Sequence, residues 1–128
     1  MPQLPEISVQ RKTPTPWGTK KQWEWRGCLA AQARVFRSHV DQQGIPEAKF
    51  HIKVVFRMTE AHIRHADLDN LAKPVLDTLF QSRNAQAQDK NLTGVLFDVD
   101  DDHVFKLRLE KRLVMTDEEE GVDVTIAW

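Results

Sequence analysis

Between Phe50 and Phe80 the hydrophobic period changes from two to about 3.6, and that switch constrains the fold more than any other feature of this 128-residue chain. Phe50, Ile52, Val54, Phe56 and Met58 fall on one face of an extended segment, with His51, Lys53 and Arg57 on the other. Beyond it, Leu68, Ala72, Leu76 and Phe80 form one helical line, and Leu71, Val75 and Leu79 its neighbour. Pro74 has no N–H and suits only the first turn, so the helix starts within a few residues before it or bends there. A strand that feeds a helix calls for a fold in which both pack on one core.

The flanking sequence extends this pattern. Glu6–Arg11 reads as a short strand. Gly27 to Val40 reads as a helix, with Cys28, Ala31 and Val35 on its apolar side, and with Arg26, Arg34, Arg37 and His39 spread around the remainder. Phe105, Leu107, Leu109 and Leu113 alternate against Lys106, Arg108, Glu110 and Arg112, giving a second long strand. Val122, Val124 and Ile126 make a last strand, expected to be its antiparallel hairpin partner across the acidic, solvated turn 116–121. Trp23 and Trp25 are expected as core or interface anchors. The chain is thus expected to be one domain over 1–128, mixed α/β (α+β), with a small mixed sheet of four to five strands and two or more helices.

Chemistry is concentrated in two places. Asp67 and Asp69 stand two residues apart, and Lys73 follows four residues after the second. If the segment is extended, both carboxylates leave the same face and reach one ion. Further on comes the denser cluster Asp98-Val99-Asp100-Asp101-Asp102, delivered by the apolar Val95, Leu96 and Phe97. Two carboxylate clusters and a lysine point to a magnesium site that works on phosphate. A calcium EF-hand loop is excluded, because His103 and Leu109 stand where it needs glycine and glutamate. A zinc site lacks ligand spacing among the five histidines and one cysteine.

The net charge of −1 hides a division: residues 1–65 carry 11 Lys and Arg against 5 Asp and Glu, and residues 66–128 carry 7 against 14. The basic half suits a phosphate backbone and the acidic half a metal; a mixed solvated surface is the alternative. Lys12, Lys20 and Lys21 lie in a segment broken by Pro14, Pro16 and Gly18, beside Trp17. That ring either stacks on an exposed base or folds onto the core. Arg64, just before the Asp67–Asp69 pair, is a candidate for phosphate contact, and His62 reads as part of a polar turn. Cys28 has no partner for an internal disulfide and reads as a packed residue. No apolar run reaches the length of a membrane span and the N-terminus lacks an apolar secretion segment, so a reducing, cytoplasmic setting without a membrane partner is expected.

Asp67-Leu68-Asp69-Asn70-Leu71-Ala72-Lys73-Pro74-Val75-Leu76-Asp77, followed by Gly94-Val95-Leu96-Phe97 and Asp100-Asp101-Asp102-His103-Val104, resembles the RusA family of Holliday junction resolvases. The resemblance implies a homodimeric endonuclease that uses Mg²⁺, with Mn²⁺ as a substitute, to cut branched DNA such as a four-way junction, in bacterial, prophage or phage cytoplasm. It matches Asp67 and Asp69 to the first two metal-binding aspartates, Lys73 to the essential lysine, Asp101 to the third aspartate and Asp100 to its neighbour. Residues 81–93 depart from it as a polar insertion. A non-catalytic DNA-binding module of the same fold and a nuclease for flaps or forks are the alternative functions.

Overall fold

The computed structural model describes residues 1–82 and 91–128. Four strands form one mixed sheet: β1 (Ile7–Gln10), β2 (Phe50–Met58), β3 (Val104–Leu113) and β4 (Gly121–Ala127), in the order β1-β4-β2-β3. Among the described residues three α-helices accompany it: α1 (Gln22–Arg34), the single turn α2 (Glu60–Ile63) and α3 (Leu68–Leu79). The expected mixed α+β class and the two long strands are present.

The pairing differs from the expected hairpin. β4 does not pair with β3; it runs antiparallel between β1 and β2, while β3 runs parallel to β2 at the sheet edge. The apolar register explains this. Val122, Val124 and Ile126 meet Phe56, Val54 and Ile52 across β2, so every rung on that face is apolar and buried. β3 offers no such partner face: Phe105, Leu107 and Leu113 remain 65, 40 and 53% exposed. β1 closes on β4 where Gly121 lies against the Val9 carbonyl, a backbone approach that leaves no room for a Cβ.

The helix expected over Gly27–Val40 begins earlier and stops earlier. α1 takes in Trp23 and Trp25, and after Arg34 the chain tightens into a 3₁₀ turn at Arg37–His39. Trp25 is buried and Trp23 half-buried, with the Arg26 guanidinium 5.2 Å from the Trp23 ring centroid. In α3, Leu71, Val75 and Leu79 are buried at helical spacing. Pro74 lies in the interior of α3, not its first turn. Its missing N–H leaves the Asn70 carbonyl without the usual helical donor, and the backbone N–H of Trp17 donates to that carbonyl instead, at 2.9 Å.

One end of the core is aromatic. Phe50, Phe80 and Phe97 pack with ring centroids 4.4–5.0 Å apart, and Trp128 stands 5.6 Å from both Phe50 and Phe97. Phe80 and Phe97 also form a parallel bridge that ties the end of α3 to the segment leading into β3. Phe97→Ala is expected to lower unfolding stability in urea by about 3–5 kcal/mol, as for a fully buried aromatic, whereas Phe105→Ala is expected to change it by under about 0.5 kcal/mol. Equal losses at the two positions would show that the aromatic cluster is not the core.

Candidate functional site

Three arginines set where the second acidic cluster sits. Arg26 is almost fully buried; it donates to Thr78 Oγ1 at 2.8 Å and to the Leu92 carbonyl at 2.5 Å. Arg34 donates to the Asn91 carbonyl. Arg37 donates to the Gly94 carbonyl at 3.0 Å and grips both oxygens of Asp98 at 2.9 and 3.1 Å. Gly94, at φ +61°, turns the chain there and donates to the Phe80 carbonyl. The apolar Val95, Leu96 and Phe97 are then buried, and Gln81 N–H reaches back to the Val99 carbonyl at 2.8 Å. Asp100 and Asp101 are thereby held against the C-terminal half of α3.

Lys73, Leu76, Asp77, Phe80, Gln81, Ser82, Asp100 and Asp101 line a pocket of about 160 Å³. Asp101 is half-buried, and burial, the hydrogen bond and charge of Asp100, and the charge of Asp77 push its carboxyl up from 3.8 to about 6, with Lys73 acting the other way. Lys73 Nζ stands 3.8 Å from Asp77 and 5.5 Å from the Trp17 ring centroid. Trp17 itself is 53% exposed, so its ring caps the lysine without entering the core.

The first pair sits, as expected, where an extended segment meets a helix start, so extended geometry holds at Asp67 and not at Asp69. Asp67 is the residue before α3, in extended conformation, and Asp69 lies in the first helical turn. Both are exposed, at the opposite end of α3 from the Asp101 pocket. Asp69, Lys73 and Asp77 follow one another at four-residue intervals on one helix face, each interval a rise of about 6 Å. Among the described residues, no three His, Cys, Asp or Glu side chains form a group able to hold a metal as placed. The structure therefore joins Lys73, Asp100 and Asp101, leaves Asp67 and Asp69 further along the helix, and adds Asp77. The spacing of Asp77 from Lys73 on a helix was the signal for it.

The remaining candidates divide. Lys12 is ion-paired with Glu24, and Arg64 with Glu60. Lys20 and Lys21 are exposed beside the start of α1. Asp98 is taken by Arg37, and Asp102 stands 3.7 Å from His103 Nε2. The turn 116–121 is not wholly solvated: Glu120 is buried and accepts from Thr59 N–H at 2.9 Å, from Thr13 Oγ1 at 2.7 Å and from His62 at 2.7 Å. Burial works to raise the Glu120 carboxyl, but those bonds hold it below its usual range. The inserted link 81–93 is described only at its ends; 83–90 lie outside the described residues. No helix among the described residues is long and apolar enough to cross a membrane.

Compared with family models, curated proteins and solved structures, the chain matches none.

In metal-free protein, a ¹³C carboxyl titration is expected to place the Asp101 midpoint near 6 and to lower it in Asp100→Asn. Because the folded value lies above the ordinary one, the folded state holds the extra proton between them. The contribution of Asp101 to stability accordingly falls as pH rises from about 4 to about 6, and Asp101→Asn is expected to flatten that slope in denaturant midpoints. An Asp101 midpoint near 4 would separate the two carboxylates.

Proposed function

We propose that this chain is a magnesium-dependent endodeoxyribonuclease akin to the RusA family, acting in the cytoplasm as a homodimer on four-way junctions. The observation that carries the reading is the polar pocket in which Lys73 faces the closely apposed Asp100 and Asp101. Asp101, pressed against Asp100, binds a proton well above its ordinary range, so the pair concentrates negative charge that a cation would relieve. Their oxygen donors suit Mg²⁺ or Mn²⁺, and Mg²⁺ is often held by only one or two carboxylates, with waters and substrate phosphate completing its shell. Asp100 and Asp101 would hold the ion, and Asp77 lies beside them.

Bound there, Mg²⁺ would supply a Lewis acid and a nucleophile usable at neutral pH. Lys73 carries a positive charge at the rim of the pocket, where it attracts a phosphodiester and stabilises the charge that builds on its oxygens. The i,i+4 contact with Asp77 and the Trp17 ring hold that ammonium in place. Asp69, one turn before Lys73 on the same helix face, and Asp67, just before the helix, would meet the DNA strand on its approach to the pocket. Two copies related by a two-fold axis would place two such sites on a two-fold junction.

Labelled four-way junction, linear duplex and flap DNA, incubated with and without Mg²⁺, test the reading. Symmetric Mg²⁺-dependent nicks in the junction alone are expected. Asp101→Asn, Asp69→Asn and Lys73→Ala are each expected to lower the cleavage rate by about 10²-fold or more, as for loss of a group that stabilises transition-state charge, with junction binding retained. Binding without cutting would favour a non-catalytic DNA-binding module. Equal cutting of all substrates would make it a structure-tolerant nuclease, and full activity in Asp69→Asn would confine the site to the pocket.

A further inference from the structure

α1 and α3 cover one face of the sheet, that of Ile52, Val54 and Phe56. The opposite face carries His51, Lys53, Val55 and Arg57 on β2 and, by register, Lys106, Arg108, Glu110 and Arg112 on β3. Part of this charge is internally balanced: Arg57 is bonded to Asp123 at 3.1 Å and to the Val9 carbonyl, and Arg112 to Glu110 at 2.7 Å. The rest is not. His51 stands opposite Lys106, and Lys53 opposite Arg108, and none of these four has an ion-pair partner among the described residues. The neighbours on β4 are the neutral Ala127 and Thr125.

Lys53 and Arg108 are like charges placed directly across the strand pair, which weakens that rung, and Lys106 adds a third cation on the neighbouring one. Together with Gln3 and Thr125 they line a shallow groove of about 260 Å³. The rungs lie two residues apart along the strands, roughly 6.6 Å. That makes a short row of cations, suited to a repeating anion more than to a single one. Because β2 and β3 are parallel, the row lies at the N-terminal end of β3, the end that the Asp101–His103 turn leads into.

We propose that this open face binds the phosphodiester backbone of the DNA on which the carboxylate pocket acts, through Lys53, Lys106 and Arg108; the assignment rests on the nuclease reading. The face holds the duplex by charge, without reading sequence, at the edge strand that the Asp101–His103 turn leads into. Phosphate contacts of this kind fix register and orientation and make affinity fall with salt.

The test is fluorescence anisotropy of the full chain with a labelled four-way junction and a linear duplex over a series of salt concentrations, for wild type and Lys53→Ala/Lys106→Ala/Arg108→Ala. The triple variant is expected to bind at least about tenfold more weakly at 0.1 M salt, with the slope of log K against log salt reduced by about three. Lys53→Arg/Lys106→Arg/Arg108→Lys keeps the charges and is expected to keep the slope, which separates phosphate contact from a folding defect. Unchanged binding in the alanine variant overturns the proposal, whether or not the wild type cuts. Wild-type binding that depends on these residues without any Mg²⁺-dependent cutting leaves the face standing and removes the nuclease reading. Absence of DNA binding, with salt-sensitive binding to phosphatidylserine vesicles that the alanine variant loses, makes the face a lipid-binding one and overturns it.

Discussion

The hydrogen bonds from Arg26, Arg34 and Arg37 to the segment 91–98 are the constraint on which the site depends. Asp100 and Asp101 belong to a stretch with no strand or α-helix of its own before β3, only the 3₁₀ turn Asp101–His103. What holds them beside α3 is a set of guanidinium–carbonyl bonds from the first helix and the turn after it, together with the buried Val95, Leu96 and Phe97. Arg26 does this from inside the protein, where a buried charge is tolerated because its donors are satisfied, Thr78 and Leu92 among their acceptors. Arg37 also occupies Asp98, so that carboxylate is spent on structure and the pocket is left to its neighbours.

These contacts change the meaning of the charge division along the chain. The basic surplus of residues 1–65 looks like a footprint for a polyanion, yet much of it is already bonded within the chain. Arg26, Arg34 and Arg37 bind carbonyls, Arg57 binds Asp123, and Lys12 binds Glu24. The cations left unbalanced on the open face come from both halves, Lys53 from the first and Lys106 and Arg108 from the second. A count of charge along the sequence does not show which charges face solvent.

Periodicity made β2, α3 and β3 legible, because each buries or presents a face that repeats at its own period. It misplaced α1, whose mean character is weakly amphipathic: Arg26 and Gln22 are buried on it while Val35, just past its end, is 66% exposed. Strand order was illegible for a related reason. Val122, Val124 and Ile126 announce a buried strand but not its neighbour, and the choice of β2 over β3 is made by matching apolar rungs across the sheet. At the site, residue types marked Lys73, Asp100 and Asp101. Spacing alone could not give the relative aim of Asp67 and Asp69, because the chain passes from extended to helical backbone between them.

Pro74 gives α3 a further property. Placing proline in the helix exchanges a bond between near neighbours, from residue 74 to Asn70, for one between Asn70 and Trp17, more than fifty residues away in the chain. Helix formation is otherwise a local event; here its hydrogen-bonding is completed only when the N-terminal segment has closed a long loop, whose entropy must be lost first. The ring that caps Lys73 and the helix that carries it therefore gain their final order together, and the lysine is fully positioned only in the molecule that has finished folding.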